Sequence, residues 1–124
     1  MTSAHVHLSD EAIDADTQVV RAHGELDLYV APEFKRRLAE TIETGKTRIV
    51  VDLTDAAFMD STALGVLIGA LKRLRVRGGA LAVASEQPSI LRILELTGMD
   101  QVLDLHATAD DALAALHRSA EAKG

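Results

Sequence analysis

Apolar and polar positions follow two different spacings along this chain, and these spacings predict its strands and helices. Short runs rich in Val, Ile, Leu and Ala predict strands at about residues 5–8, 17–24, 47–53, 80–84 and 101–106. Apolar residues spaced three or four positions apart predict helices that begin near Pro32, Ser61, Ser85 and Thr108. The predicted order is therefore β-β-α-β-α-β-α-β-α.

The first helix is expected to bury a stripe of Phe34, Leu38 and Ile42. Gly24 is expected to end the second strand and begin a turn, and Phe58 to enter the core.

Strands that alternate with helices need crossover connections, which are typical of parallel sheets. We therefore predict an α/β fold, a single domain with a mixed, mostly parallel sheet of about five strands and about four helices. The first two strands are expected to pair as a hairpin at one edge of this sheet. Residues 1–14 are predicted to be an N-terminal extension or edge strand, 15–117 the domain, and 118–124 a frayed tail.

Composition narrows the functions that the chain can have. It has 124 residues and no cysteine, which excludes disulfides, thiolate nucleophiles and Cys-based zinc sites. Its net charge of −6 disfavours nucleic-acid binding, which needs a basic surface. The sequence shows no signal-peptide pattern and no apolar run of the ~18 residues that a spanning helix needs. We therefore expect a cytoplasmic protein without membrane insertion.

Two histidines near the start are the only pattern that hints at a metal. His5 and His7 would share one face of the first predicted strand. A pair of histidines without a third ligand favours an exposed strand face instead, so we predict no metal site.

The stretch from Phe58 to Arg73 organises the rest of the chain, because a strand turns directly into a helix there. The join falls on Asp60, Ser61 and Thr62, whose side-chain oxygens can accept hydrogen bonds from the free N–H groups of a first helical turn. Ser61 should lie within one residue of the helix start. Such a helix end also accommodates anions, so these residues are either a simple cap or a place where a phosphate is tolerated.

The helix that follows is apolar on nearly all sides in its first half. One face, expected to lie on the sheet, carries Leu64, Leu67, Ile68, Leu71 and Leu74. The other side carries Ala63, Val66 and Ala70, with Gly65 and Gly69 between them. An all-round apolar helix is covered on both sides, either by its own fold or by a partner, and both interpretations stay open here.

Several segments resemble one known family. The run from Phe58 to Leu67 resembles the signature of the STAS domain, in its bacterial anti-sigma factor antagonist form. Gly24–Asp27, Ala31–Glu33 and Ile49–Leu53 match the same family in the same order. The resemblance covers about residues 15–117.

The resemblance implies a regulatory protein that is not an enzyme and carries no cofactor. In this family the unmodified antagonist binds an anti-sigma factor that is also a serine kinase, and so frees a sigma factor. The kinase uses its own ATP to phosphorylate the antagonist, which then lets go, and a serine phosphatase restores it. By position the phosphoacceptor would be Ser61. The implied partner-binding residues are Asp27, Tyr29, Asp60, Ser61, Thr62, Ala63, Val66 and Gly69.

One departure from the family pattern is Ala63, where many relatives have glycine. The extra methyl group leaves the acceptor in place, so it bears on partner identity more than on mechanism.

Two other functions remain as alternatives. Ser61, Asp60, Asp27 and His23 are residue types that a small hydrolase would use, but no Gly-x-Ser-x-Gly elbow surrounds the serine and no glycine-rich phosphate loop follows a strand. A STAS module could also be an assembly subunit of a larger sensory or lipid-transport complex, with the same fold and no phosphorylation of Ser61.

Overall fold

The computed structural model describes residues 6–123, with the side chains of residues 8–119. Its strands are β1 (Val6–Ala12), β2 (Thr17–Leu26), β3 (Arg48–Asp52), β4 (Ala56–Met59), β5 (Ala80–Ala84) and β6 (Asp104–His106). Its helices are α1 (Ala31–Glu43), α2 (Ser61–Val76), α3 (Pro88–Leu96) and α4 (Ala109–Lys123), with a 3-10 turn at Met99–Gln101. The predicted alternation of strands and helices is confirmed. β4 is a sixth strand that was not predicted as a separate element, although the stretch from Phe58 was expected to begin at the end of a strand.

The six strands form one sheet in the order β1-β2-β3-β5-β6, with β4 paired to β2 beyond the end of β3. β1 runs antiparallel to β2, which confirms the predicted hairpin at one edge. All other pairs are parallel, and helices connect β2 to β3, β4 to β5 and β5 to β6. The prediction of a mixed, mostly parallel sheet is therefore confirmed.

β2 is longer than predicted because it pairs with two strands in turn. Its first half lies beside β3 as far as Arg21, and its second half lies beside β4 from Gly24 to Leu26. The pairing shifts register directly after Gly24, where φ is +99°. Glycine adopts this conformation readily, so it permits a bulge in the strand. The prediction that Gly24 ends the strand and begins a turn was wrong for this reason.

Apolar side chains fill both faces of the sheet. On one face α1, α2 and α3 cover the larger part of the core, and α1 contributes Phe34, Leu38 and Ile42, which confirms the predicted buried stripe. On the other face Ala112 and Leu116 of α4 pack against the central strands. The core therefore anchors α1 and α2 side by side on one surface of the molecule.

One further expectation needs correction. Phe58 was predicted to enter the core, yet it is 43% exposed, and the neighbouring Met59 fills the buried position instead. α4 continues through Lys123, and the fraying expected of residues 118–124 stays a prediction.

Two negative expectations concern metals and membranes. The predicted His5 and His7 pair lies outside the described side chains, and those that are described contain no cluster of three or more potential metal ligands. Between residues 6 and 123, none of the helices is both long enough and apolar enough to cross a bilayer.

Candidate functional site

The start of α2 is held by Asp60. This residue is the N-cap, with an extended backbone (φ −96°, ψ −179°), and its carboxylate accepts a hydrogen bond from the N–H of Ala63 at 3.0 Å. Its carbonyl accepts the first helical hydrogen bond, from Leu64. Ser61 is therefore the first residue of the helix, and the prediction that it lies within one residue of the helix start is confirmed.

Because Asp60 caps the helix, the hydroxyl of Ser61 is not needed for a capping hydrogen bond. Ser61 and its neighbour Thr62 are both exposed. Within residues 8–119, no hydrogen bond involves the Ser61 hydroxyl. The hydroxyl is thus open to solvent at the positive end of a helix dipole, where a negative group is favoured.

The loop after β2 lies beside this helix start. The N–H of Asp60 donates to the carbonyl of Leu26 at 3.0 Å, which ties the two turns together. The carboxylate of Asp27 accepts from the N–H of Tyr29 at 3.0 Å and from that of Val30 at 3.3 Å. These bonds form an Asx turn and leave the Tyr29 side chain 84% exposed. The structure therefore brings Asp27 and Tyr29 next to the turn that carries Ser61.

The predicted docking strip on α2 is only partly at the surface. Gly69 is exposed and Val66 is half-buried. Ala63, in contrast, has no exposed surface and packs in the core, so it offers no atom to a docking protein. Its place among the partner-binding residues is corrected accordingly, because its side chain lies on the face of α2 that packs into the core.

The exposed side of α2 faces a groove rather than open solvent. α1 forms the opposite wall, and the space between the helices is about 690 Å³. A Cβ atom added to Gly65 or Gly69 would meet no other atom within 4 Å. Of the two interpretations of this apolar helix, its own fold covers the Leu64, Leu67, Leu71 and Leu74 side, and the groove side is uncovered.

Sequence reasoning missed the contribution of α1 to this surface. Leu28, Pro32, Lys35 and Ala39 line the groove, whereas the sequence pattern had drawn attention only to the buried stripe of α1. Lys35 and Ala39 are four residues apart and share a helix face, but the sequence does not indicate that this face borders α2.

The histidine that a hydrolase would need is placed elsewhere. His23 lies in β2, where it is paired with His7 of β1 at the edge of the sheet. A nucleophilic serine requires a base within hydrogen-bond reach, and none of the described side chains bonds to the Ser61 hydroxyl.

Comparison with known proteins gives one consistent family. A model described as the STAS domain matches residues 10–112. The anti-sigma-B factor antagonist of Bacillus subtilis is 32% identical over 91 residues, which cover 73% of this chain and 83% of that protein. The anti-sigma F factor antagonist of Paenibacillus polymyxa is 31% identical over 99 residues, which cover 79% of this chain and 85% of that protein.

A solved structure agrees with these sequence relatives. The crystal structure of an anti-sigma factor antagonist from Mycobacterium paratuberculosis superposes with a TM-score of 0.84 at 27% identity. The match covers 94% of this chain and 99% of that chain. The fold described above is therefore shared over almost the full length of both proteins.

Proposed function

Because this chain belongs to the STAS domain family, we propose that it is an anti-sigma factor antagonist whose partner binding is switched by phosphorylation of Ser61. In this proposal the unmodified protein binds an anti-sigma factor that is also a serine kinase, and so frees a sigma factor in the cytoplasm. The kinase holds the ATP, so the antagonist needs no cofactor. A serine phosphatase returns the protein to its binding form.

The observation that carries this proposal is the exposed, unbonded hydroxyl of Ser61 at a helix start that Asp60 already caps. A phosphate on that hydroxyl removes no hydrogen bond from the fold. The helix dipole favours the new charge by ~0.3–1 kcal/mol, and repulsion from the adjacent Asp60 carboxylate opposes it. The net effect on the stability of the free protein is therefore small.

A docked partner experiences the same phosphate very differently. It meets about −1.5 to −2 new charges on a surface that it had covered. Each ~1.4 kcal/mol of lost interaction lowers the affinity tenfold, and a dianion buried against an apolar or acidic interface loses several kcal/mol. Phosphorylation can thus release the partner while the antagonist keeps its fold.

The proposed transfer balances without any additional reactant. The Ser61 Oγ attacks the γ-phosphorus of the ATP bound to the kinase, and the bond from that phosphorus to the β,γ-bridging oxygen breaks. ADP leaves, and a base on the kinase takes the hydroxyl proton. The phosphatase later uses water to cleave the Ser61 phosphoester, which regenerates the hydroxyl and releases phosphate.

Incubation with candidate anti-sigma factor kinases and ATP, read by intact mass, tests this function. We expect the addition of one phosphoryl group, which peptide sequencing places on Ser61. Ser61→Ala should abolish the addition and the matched control Thr62→Ala should keep it. Labelling on Thr62, or no labelling by any kinase that binds the protein, would contradict the proposal.

A second experiment separates the switch from a permanent assembly subunit. The protein is used to capture partners from a lysate with and without ATP. A switched antagonist should recover a small ATP-binding kinase, and the amount should fall when ATP is added. Recovery of the same large complex under both conditions would instead indicate an assembly subunit.

A further inference from the structure

The groove between α1 and α2 reaches the Ser61 turn, because Thr62 is among its lining residues. Its floor is apolar, and the side chains that keep accessible surface there are those of Pro32, Ala39 and Val66, which lie over a buried layer. Its upper end is bounded by Leu28 and Thr62, and Thr62 directly follows the proposed phosphoacceptor. The groove and the Ser61 turn therefore form one continuous surface.

The charges along this groove are all of one sign. Lys35 and Arg73 are the charged residues among its lining side chains, although the protein as a whole carries a net charge of −6. Lys35 is exposed and makes no ion pair within residues 8–119. Arg73 lies 3.5 Å from the carboxylate of Glu43, but both side chains are largely exposed, so this pair is weak.

Asp27 and Asp60 are not among the residues that line the groove. Their carboxylates lie in the turns at its upper end, where each accepts backbone N–H groups. A ligand that enters the groove therefore meets an apolar floor, two cationic walls and, at the upper end, the Ser61 hydroxyl.

We propose that this groove receives an acidic amphipathic helix of the anti-sigma factor, an inference that rests on the proposed function. From Thr62 to Arg73 the wall runs for about eleven helical positions, or ~16 Å, which matches about three turns of a docked helix. The apolar face of that helix would lie on the floor, and its carboxylates would pair with Lys35 and Arg73. Gly65 and Gly69 let its backbone come close to α2.

With this occupant, a phosphate on Ser61 would also act on groups that do not lie directly over it. An acidic helix that extends to Thr62 ends next to the phosphate, and like charges repel. The release signal therefore acts on the end of the docked helix as well as on groups directly over Ser61.

The charge pattern argues against a second copy of the same chain in the groove. A two-fold dimer joins the same patch on both subunits, so it would place Lys35 and Arg73 of one subunit near the same two cations of the other. An acidic partner has no such conflict.

Binding of designed peptides tests the chemistry of the groove directly. The probe is a twelve-residue helical peptide with Leu on one face and Glu on the flanks, compared with its Lys-for-Glu counterpart and a scrambled version (about three turns each). We expect the acidic peptide to bind at least tenfold more tightly than the basic one. Amide NMR shifts should be confined to α1 and α2. Equal binding of both peptides, or shifts elsewhere, would overturn the inference.

Charge reversal identifies the cations responsible. Lys35→Glu combined with Arg73→Glu should weaken acidic-peptide binding and kinase binding at least tenfold. The control, Arg75→Glu combined with Arg118→Glu, makes the same change in net charge at exposed positions outside the groove and should change both by less than twofold. If both double variants weaken binding equally, the overall net charge accounts for the effect, and the inference is overturned.

Filling the groove gives a measurement that does not depend on charge. A Cβ atom at position 69 would meet nothing within 4 Å outside its own stretch of helix, so Gly69→Leu should leave the fold intact, extend into the groove and abolish peptide binding. Gly69→Ala is the graded control, because it changes helix propensity in the same direction and fills little of the groove. Loss of binding in both variants, or in neither, would contradict the proposed occupancy.

The outcomes separate this inference from the proposed function. Kinase labelling of Ser61 and kinase binding that both persist in the groove variants would overturn the groove assignment and leave the phosphorylation switch standing. Acidic-peptide binding without any kinase that labels Ser61 would overturn the switch instead. Laurate, a fatty acid, is the probe for an apolar small ligand, and tighter binding of laurate than of the acidic peptide would assign the groove to such a ligand. A dimer that Gly69→Leu abolishes would assign the groove to a contact between two copies of the chain.

Discussion

Two helices of this protein begin with a serine in the first turn, yet the two serines have different environments. At the start of α2, the Asp60 carboxylate caps the helix and the Ser61 hydroxyl has no bond within the described side chains. At the start of α3, Gln87 makes no side-chain capping bond, and the hydroxyl of Ser89 donates to the carbonyl of Ala57 at 2.6 Å. Both serines are exposed.

The difference shows that exposure alone does not make a hydroxyl available for chemistry. Ser89 connects α3 to β4, so a group added to its oxygen would break a structural bond. Ser61 has no such bond because the preceding residue caps the helix. A phosphorylation site at a helix start is therefore best sought where the neighbour, rather than the acceptor, satisfies the free N–H groups.

The largest expected effect comes from placing a carboxylate at each serine in turn. Ser61→Asp should weaken binding of the anti-sigma factor kinase at least tenfold and leave the melting temperature nearly unchanged, because the charge enters the proposed interface and no bond is lost. Ser89→Asp adds the same charge at the other helix start and should leave binding within about twofold. Titration calorimetry and thermal unfolding measure both. An unfolded Ser61→Asp protein would show that Ser61 is mainly structural.

A smaller effect is expected when the two helix caps are compared. Asp60→Ala removes the bond to the Ala63 N–H and should lower the free energy of unfolding by about 1 kcal/mol. Gln87→Ala removes no capping bond and should change it by less than about 0.5 kcal/mol. Urea unfolding measures both values, and equal losses would refute the assignment of the α2 cap to Asp60.

The smallest effects separate the two hydroxyls themselves. Ser89→Ala should lower the free energy of unfolding by about 0.5–1.5 kcal/mol, since the bond to Ala57 is lost. Ser61→Ala should change it by less than about 0.5 kcal/mol. The same urea measurements decide this, and a clear loss for Ser61→Ala would mean that its hydroxyl supports the fold after all.

The period of the apolar residues was enough to predict the fold class, because strands and helices each bury one regular set of side chains. It could not predict β4, a strand of four residues in which only Ala56 and Met59 are buried. It also gave a wrong end for β2, since Gly24 is punctuation in most strands and here permits a bulge. The residue pattern within β2 does not show that its pairing passes from β3 to β4.

The candidate site was predictable to the extent that it is local. The turn at Asp60 and Ser61 follows from residue types that cap helices, and its position is confirmed. The contribution of Lys35 could not be predicted, because it depends on how α1 and α2 pack across the sheet. Ala63 was assigned to the surface because its small side chain fits a contact strip, whereas its burial depends on how α2 packs on the rest of the core.

The hydrogen bond between Asp60 and Leu26 has a consequence for the timing of the proposed signal. The bond joins two backbone groups, so a phosphate on the Ser61 hydroxyl would remove neither its donor nor its acceptor. We therefore expect neither addition nor removal of the phosphate to wait for the backbone to rearrange. The lifetime of each state is then set by how often the kinase and the phosphatase meet the protein. The conformation of the protein is then independent of how often Ser61 has been phosphorylated before.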